Sequence, residues 1–170
     1  ALDALGYDDI TGDGQVPTGY IDTITSLDVT SQDISDLTGI ADFVALEVLR
    51  LSYNNLTTLD VSNNTALRVL WAANGNIFNT IDVSNNTALQ DFRLRQFTGA
   101  TVDLSNNIAL TRFACTSCDI TSLDTSANTN LSFLDLWDSD ITVIDVSSNL
   151  NLETLDVAYS HINALDLTTN

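Results

Sequence analysis

A phrase of nine residues recurs along the chain and limits the folds open to it. Leu59-Asp60-Val61-Ser62-Asn63-Asn64-Thr65-Ala66-Leu67 returns as Ile81-Asp82-Val83-Ser84-Asn85-Asn86-Thr87-Ala88-Leu89, and weaker copies begin at Val102, Leu123 and Ile144. Each copy runs into an apolar frame of the form L-x-x-L-x-L-x-x-N-x-L. The frame reads Leu46, Leu49, Leu51, Asn54, Leu56, then Leu67, Leu70, Ala72, Gly75, Ile77, then Leu89, Phe92, Leu94, Phe97, Gly99. It continues as Leu110, Phe113, Cys115, Cys118, Ile120, then Leu131, Leu134, Leu136, Ser139, Ile141, and last Leu152, Leu155, Val157, Ser160, Ile162. A divergent first copy holds Ile24, Leu27, Val29, Gln32 and Ile34, and the seven copies start 21 or 22 residues apart. Within x-x-L-x-L-x the apolar period is two, so the leucines face one side of a strand and the x positions the other. A single coil cannot bury its apolar side, whereas stacked coils bury a continuous one.

These repeats resemble the leucine-rich repeat family over about residues 24–170. The run Asp33-Ile34-Ser35-Asp36-Leu37-Thr38-Gly39-Ile40, followed by L-D-V-S-N-N-T-x-L, is similar to secreted, internalin-like bacterial members. The resemblance implies an α/β-class, right-handed solenoid with a parallel sheet on its concave face. A repeat this short leaves room on the return side for short extended or 3₁₀ segments and little α-helix, with L-D-V-S forming a second narrow ladder. Only Asn54 keeps the frame asparagine, so the later coils are expected to satisfy their turns otherwise. Residues 1–23 break the period and read as an N-terminal cap. The chain stops at Asn170 inside a repeat without a polar cap, which reads as a piece of a longer protein or an end covered by another chain.

Composition narrows the function. Five Arg and no Lys stand against 23 Asp plus Glu, a net charge of −18. Phosphate neutralisation needs clustered cations, so nucleic-acid binding is not expected, nor docking on an anionic membrane. At 44% apolar residues the chain can bury a core, and it has no run long enough for membrane insertion. The first residues lack a basic start and a long apolar run, so a signal peptide is absent or already removed.

Strand phase sorts the outward side chains into four columns: Val48, Val69, Asp91, Arg112, Phe133, Thr154; then Arg50, Trp71, Arg93, Ala114, Asp135, Asp156; then Ser52, Ala73, Arg95, Thr116, Trp137, Ala158; and, near the strand ends, Tyr53, Asn74, Gln96, Ser117, Asp138, Tyr159. The columns hold 24 of the 170 residues, so chance would put fewer than one Arg there; they contain four of the five Arg and both Trp. Arg and Trp are enriched at binding hot spots. Arg offers bidentate bonds to carboxylate or sulfate and Trp an apolar platform. The expected site is therefore Arg50, Trp71, Arg93, Arg95 and Arg112 on one half, and Phe133, Asp135, Trp137, Asp156 and Tyr159 on the other. The expected partner is a protein or an anionic polysaccharide. A purely structural alternative has the Arg residues neutralising Asp91 and neighbouring acids while Trp71 and Trp137 cover the sheet.

Other features carry less. Asp60, Asp82, Asp103, Asp124, Asp145 and Asp166 form a regular row flanked by Ser and Thr. It reads as a turn signature, with a divalent-cation row or a Thr-rich ice- or mineral-binding plane as alternatives. Asp9 and Asp13 sit in Asp9-Ile10-Thr11-Gly12-Asp13-Gly14, which resembles the start of an EF-hand calcium loop, but Tyr20 stands where the bidentate Glu belongs. No cofactor is expected, with calcium at the cap as the alternative. Cys115 and Cys118 fall on inward positions and read as two buried thiols, with an oxidised pair as the alternative. The lone His161 has no catalytic companions, so no enzyme is expected. The chain reads as a non-catalytic recognition domain of a secreted or cell-surface protein. A structural spacer or adhesion stalk, or a polysaccharide-binding accessory module of an enzyme, are the other readings.

Overall fold

The computed structural model describes residues 21–168. Seven short strands follow in chain order: β1 (Ser26–Asp28), β2 (Val48–Arg50), β3 (Val69–Ala72), β4 (Asp91–Arg95), β5 (Arg112–Thr116), β6 (Phe133–Asp135) and β7 (Thr154–Asp156). They form one parallel sheet in the order β1-β2-β3-β4-β5-β6-β7, each strand paired with its neighbours in sequence. The register joins Leu27, Leu49, Leu70, Phe92, Phe113, Leu134 and Leu155 into one inward column. The rings of Phe92 and Phe113 lie 5.6 Å apart within it. The frame residues Leu46, Leu67, Leu89, Leu110 and Leu131 are fully buried and close the core behind the sheet. In the last coil Leu152, Leu155, Val157 and Ile162 are only partly buried.

The chain leaves each strand through a left-handed residue. Ser31, Tyr53, Asn74, Gln96, Ser117, Asp138 and Tyr159 all have φ between 52° and 59°. After this turn the coil rejoins its neighbour through backbone bonds such as Ile77 N to Leu56 O and Asp119 N to Phe97 O. The return side is extended or irregular, with one 3₁₀ turn among the described residues, Ile40–Asp42, entered through Gly39 in the left-handed region. Of the expected second ladder, one bridge is formed among the described residues, between Asp60 and Asp82.

Two parts of the repeat frame are corrected. In the coil after Leu67, Gly75 and Ile77 do not hold the frame positions. The 22-residue spacing places an extra residue there, so Asn76 and Phe78 are buried while Ile77 is exposed. Asn54 is therefore not alone. Asn54 accepts from Ile34 N and donates to Val29 O and Leu51 O; Asn76 accepts from Leu56 N and donates to Leu51 O. Beyond Asn76 the chain changes device. Phe97 fills the turn with its ring, and Gly99 makes room for it: a Cβ on Gly99 would lie 2.5 Å from that ring. Ser139 and Ser160 instead donate their hydroxyls to Leu136 O and Val157 O.

The remaining turn is closed by Cys115 and Cys118. They form a disulfide, not the two thiols expected from their packing positions. Both are buried, and an Sγ atom three residues from its partner spans the turn that an Asn amide spans elsewhere.

A second row of asparagines supports the return side. Asn64, Asn86, Asn107, Asn128 and Asn149 are fully buried. Each amide donates backward to the previous coil, as Asn107 does to Val83 O and Asn86 O, and Asn128 to Leu104 O and Asn107 O. These bonds satisfy backbone carbonyls that water cannot reach.

Candidate functional site

The outward columns are where strand phase put them. Register pairs Arg50 with Trp71, Trp71 with Arg93, Arg112 with Phe133, Asp135 with Asp156, and Arg95 with Thr116. Backbone bonds from Ser117 N to Trp137 O and from Asp138 N to Ala158 O carry the third column past the strand ends. All ten expected site residues therefore lie along one sheet surface, on β2 to β7 and the turns that leave it.

The Arg half is tightly organised. The Trp71 ring is sandwiched between Arg50 at 4.5 Å and Arg93 at 4.3 Å. A guanidinium over an indole face is attracted by the ring quadrupole. Arg93 also makes a fork to Asp91 in its own strand, Nε to Oδ1 at 2.8 Å and Nη2 to Oδ2 at 2.7 Å. That hydrogen-bonded pairing raises the Arg93 pKa further. Arg112 approaches the same carboxylate at 3.9 Å and lies over Phe133 at 4.1 Å. Arg50 stands 3.9 Å from Asp28, whose pKa is lowered chiefly by hydrogen bonds from the Thr30 side chain and backbone, with Arg50 adding to them. The structural alternative thus describes Arg93 well, since its fork is already occupied. Arg95, by contrast, is exposed and makes no ion pair among the described residues. The fifth arginine, Arg68, lies one step outside the columns and bridges Glu47 at 3.4 Å and Gln90 at 3.2 Å. Its place at the L-x-x-L shoulder gave no outward signal in the strand phase.

The other half is acidic and aromatic. Trp137 and Tyr159 meet edge to face with centroids 5.5 Å apart, and Tyr159 is 78% exposed. Asp135 accepts from Trp137 N, and Asp156 accepts from Ala158 N. Each carboxylate thereby keeps its second oxygen for other contacts.

The Asp row on the return side has a local role. Asp60, Asp82, Asp103, Asp124, Asp145 and Asp166 each accept from the backbone N–H two residues on. Bonds from the Ser62, Ser84, Ser105 and Ser126 side chains and backbones hold the first four below the usual carboxylate range, and the backbone bond leads for Asp145 and Asp166. Among the described residues no group of three or more His, Cys, Asp or Glu is gathered as for a metal ion. The calcium candidates Asp9 and Asp13 lie outside the described residues. His161 is exposed on a turn, 3.6 Å from Asp140. No helix among the described residues is long and apolar enough to cross a membrane.

Comparison with known proteins bears on this surface through the fold. No family model matches the chain. Over 43 residues it is 51% identical to internalin J of Listeria monocytogenes, a stretch of 25% of this chain and 5% of that protein. The solved functional domain of internalin J, which includes a cysteine ladder, is similar over 91% of this chain and 44% of that one, at 27% identity and a TM-score of 0.51. Internalin C2 from the same species aligns over 91% of this chain and 79% of its own, at 17% identity and a TM-score of 0.62. A leucine-rich-repeat protein of Leptospira interrogans covers 75% of this chain and 41% of its own, at 21% identity and a TM-score of 0.58. The last two likenesses speak to the fold alone.

Proposed function

We propose that this chain, a leucine-rich-repeat protein of the internalin-like kind, is a non-catalytic recognition domain that holds a protein partner on its concave sheet. The single observation that carries this reading is the convergence of four Arg and both Trp onto one surface of a chain with net charge −18. Stacked repeats offer an extended concave surface, and binding is their common use of it. A protein is favoured over an anionic polysaccharide because Asp135, Asp138 and Asp156 share the surface with the arginines. A uniform polyanion crossing the whole sheet would meet that acidic half unfavourably. The Cys115–Cys118 disulfide supports a secreted or surface location, since such bonds persist in oxidising compartments. The spacer and accessory-module readings rest on no residue of this surface.

The test is an array of acidic, basic and mixed peptides together with sulfated glycans, probed at two ionic strengths. Binding to acid-containing peptides is expected, weakened by salt as exposed ion pairs are, and reduced by Arg93→Ala with Arg95→Ala. Unaltered binding by that double variant would move recognition off these arginines, and binding to none of the probes would favour the spacer.

A further inference from the structure

The charges of the concave sheet do not all cancel internally, and what is left over has a pattern. Asp28 stands within 4 Å of Arg50 and Asp91 is forked by Arg93, while Arg112 only shares Asp91 at 3.9 Å, so these three guanidiniums face two carboxylates. Arg95 is not answered. On the other side Asp135 and Asp156 face each other across β6 and β7 in direct register, half-buried, with no cation paired to either among the described residues. Like charges opposite one another destabilise a sheet. Here they stand beside the Trp137–Tyr159 pair, whose rings can face a cation. Between the poles lie the small side chains of Ala114 and Thr116 on β5. The poles are two to three strands apart, roughly 10–14 Å.

From this we infer that the concave surface is two-poled and takes a protein segment bearing both signs, its carboxylate at Arg95 and its Arg or Lys between Asp135 and Asp156. This deepens the recognition reading and rests on it. A second copy of the chain does not fit the acidic pole. The chain has five Arg and no Lys, four of those Arg lie on this same surface, and Arg68 is engaged by Glu47 and Gln90. The partner is a different protein with exposed basic residues.

The two tryptophans allow each pole to be read separately. Trp71 lies between Arg50 and Arg93, on the strand paired with the one that carries Arg95, and Trp137 packs on Tyr159 and follows Asp135. Their indole N–H resonances are followed while the protein is titrated with three synthetic peptides: one with a Glu block and an Arg block, one with Glu alone, one with Arg alone. Both resonances should move with the mixed peptide, Trp71 alone with the Glu peptide and Trp137 alone with the Arg peptide. Asp135→Asn combined with Asp156→Asn keeps the oxygens that accept from Trp137 N and Ala158 N. It should abolish the Trp137 response, spare that of Trp71, and weaken the mixed peptide about tenfold. An unchanged Trp137 response in that variant overturns the acidic pole. If Trp71 responds and Trp137 never does, the two-pole inference falls while concave recognition stands. If neither indole responds to any peptide, both fall.

Discussion

Asn107 shows how much a single buried amide carries in this chain. It donates to Val83 O and Asn86 O in the preceding coil and receives the amide of Asn128 on its own carbonyl. Replacing it by Ala removes two bonds and leaves carbonyls without their side-chain partner, a cost of about 1–3 kcal/mol. Urea unfolding of Asn107→Ala should show that loss, while Asn106→Ala, at the exposed neighbour, should unfold nearly as the parent does. The N-N dipeptide was plain in the repeated phrase, yet nothing in it distinguished the asparagine that is buried from the one that faces water. Frame position was equally ambiguous at Gly75, where one inserted residue moved the working asparagine to Asn76 and the core side chain to Phe78. Chain spacing records an insertion without saying which residue absorbs it.

Strands and their turns were legible to different degrees. Inward and outward residues were fixed by the period of two, because a one-residue slip would turn every leucine to solvent. The left-handed exit from each strand was not legible. Seven different contexts use Ser, Tyr, Asn, Gln, Ser, Asp and Tyr there instead of glycine, so the usual mark of positive φ is missing. The Asp-x-Ser turns behave as a set and have a consequence for acid stability. Their carboxylates are held below the ordinary value of 3.8 when folded. A lowered folded pKa stabilises the fold above the unfolded value, and that contribution is lost as pH falls through the folded one. Thermal melting followed from about pH 6 down to about pH 2 should therefore show a declining Tm below about pH 4. Asp103→Asn should decline less steeply over the same range, because it has no carboxylate to protonate.

At the scale of the whole solenoid, stability passes from coil to neighbouring coil, and the middle of the chain is where the turn device changes. Phe97 with Gly99 and the Cys115–Cys118 disulfide stand in consecutive coils, between the asparagines of Asn54 and Asn76 and the serines of Ser139 and Ser160. Opening the disulfide removes a covalent tie under β5, the strand between the two poles. Cys115→Ser with Cys118→Ser is expected to cost about 2 kcal/mol or more, since it also buries two hydroxyls. Calorimetry with and without reductant should show the parent's Tm falling on reduction, and that of the double variant unmoved by reductant. The pair's inward position was readable from the frame, but packing alone does not separate two small buried thiols from a bonded pair. The direction of the Arg and Trp columns follows from strand phase alone. Their internal pairing was hidden, because the fork of Arg93 onto Asp91 depends on side-chain geometry within one strand.

Because each coil adds one strand in unbroken register, the surface behaves like a line of type in which every coil sets one character per column. Duplicating or excising the coil of β5 would change the gap between the guanidinium of Arg95 and the carboxylate of Asp135 by one fixed increment, about 4.8 Å, with the same leucines still stacked beneath. A lineage of such chains can therefore retune its reach toward a partner by counting coils, without redesigning a core.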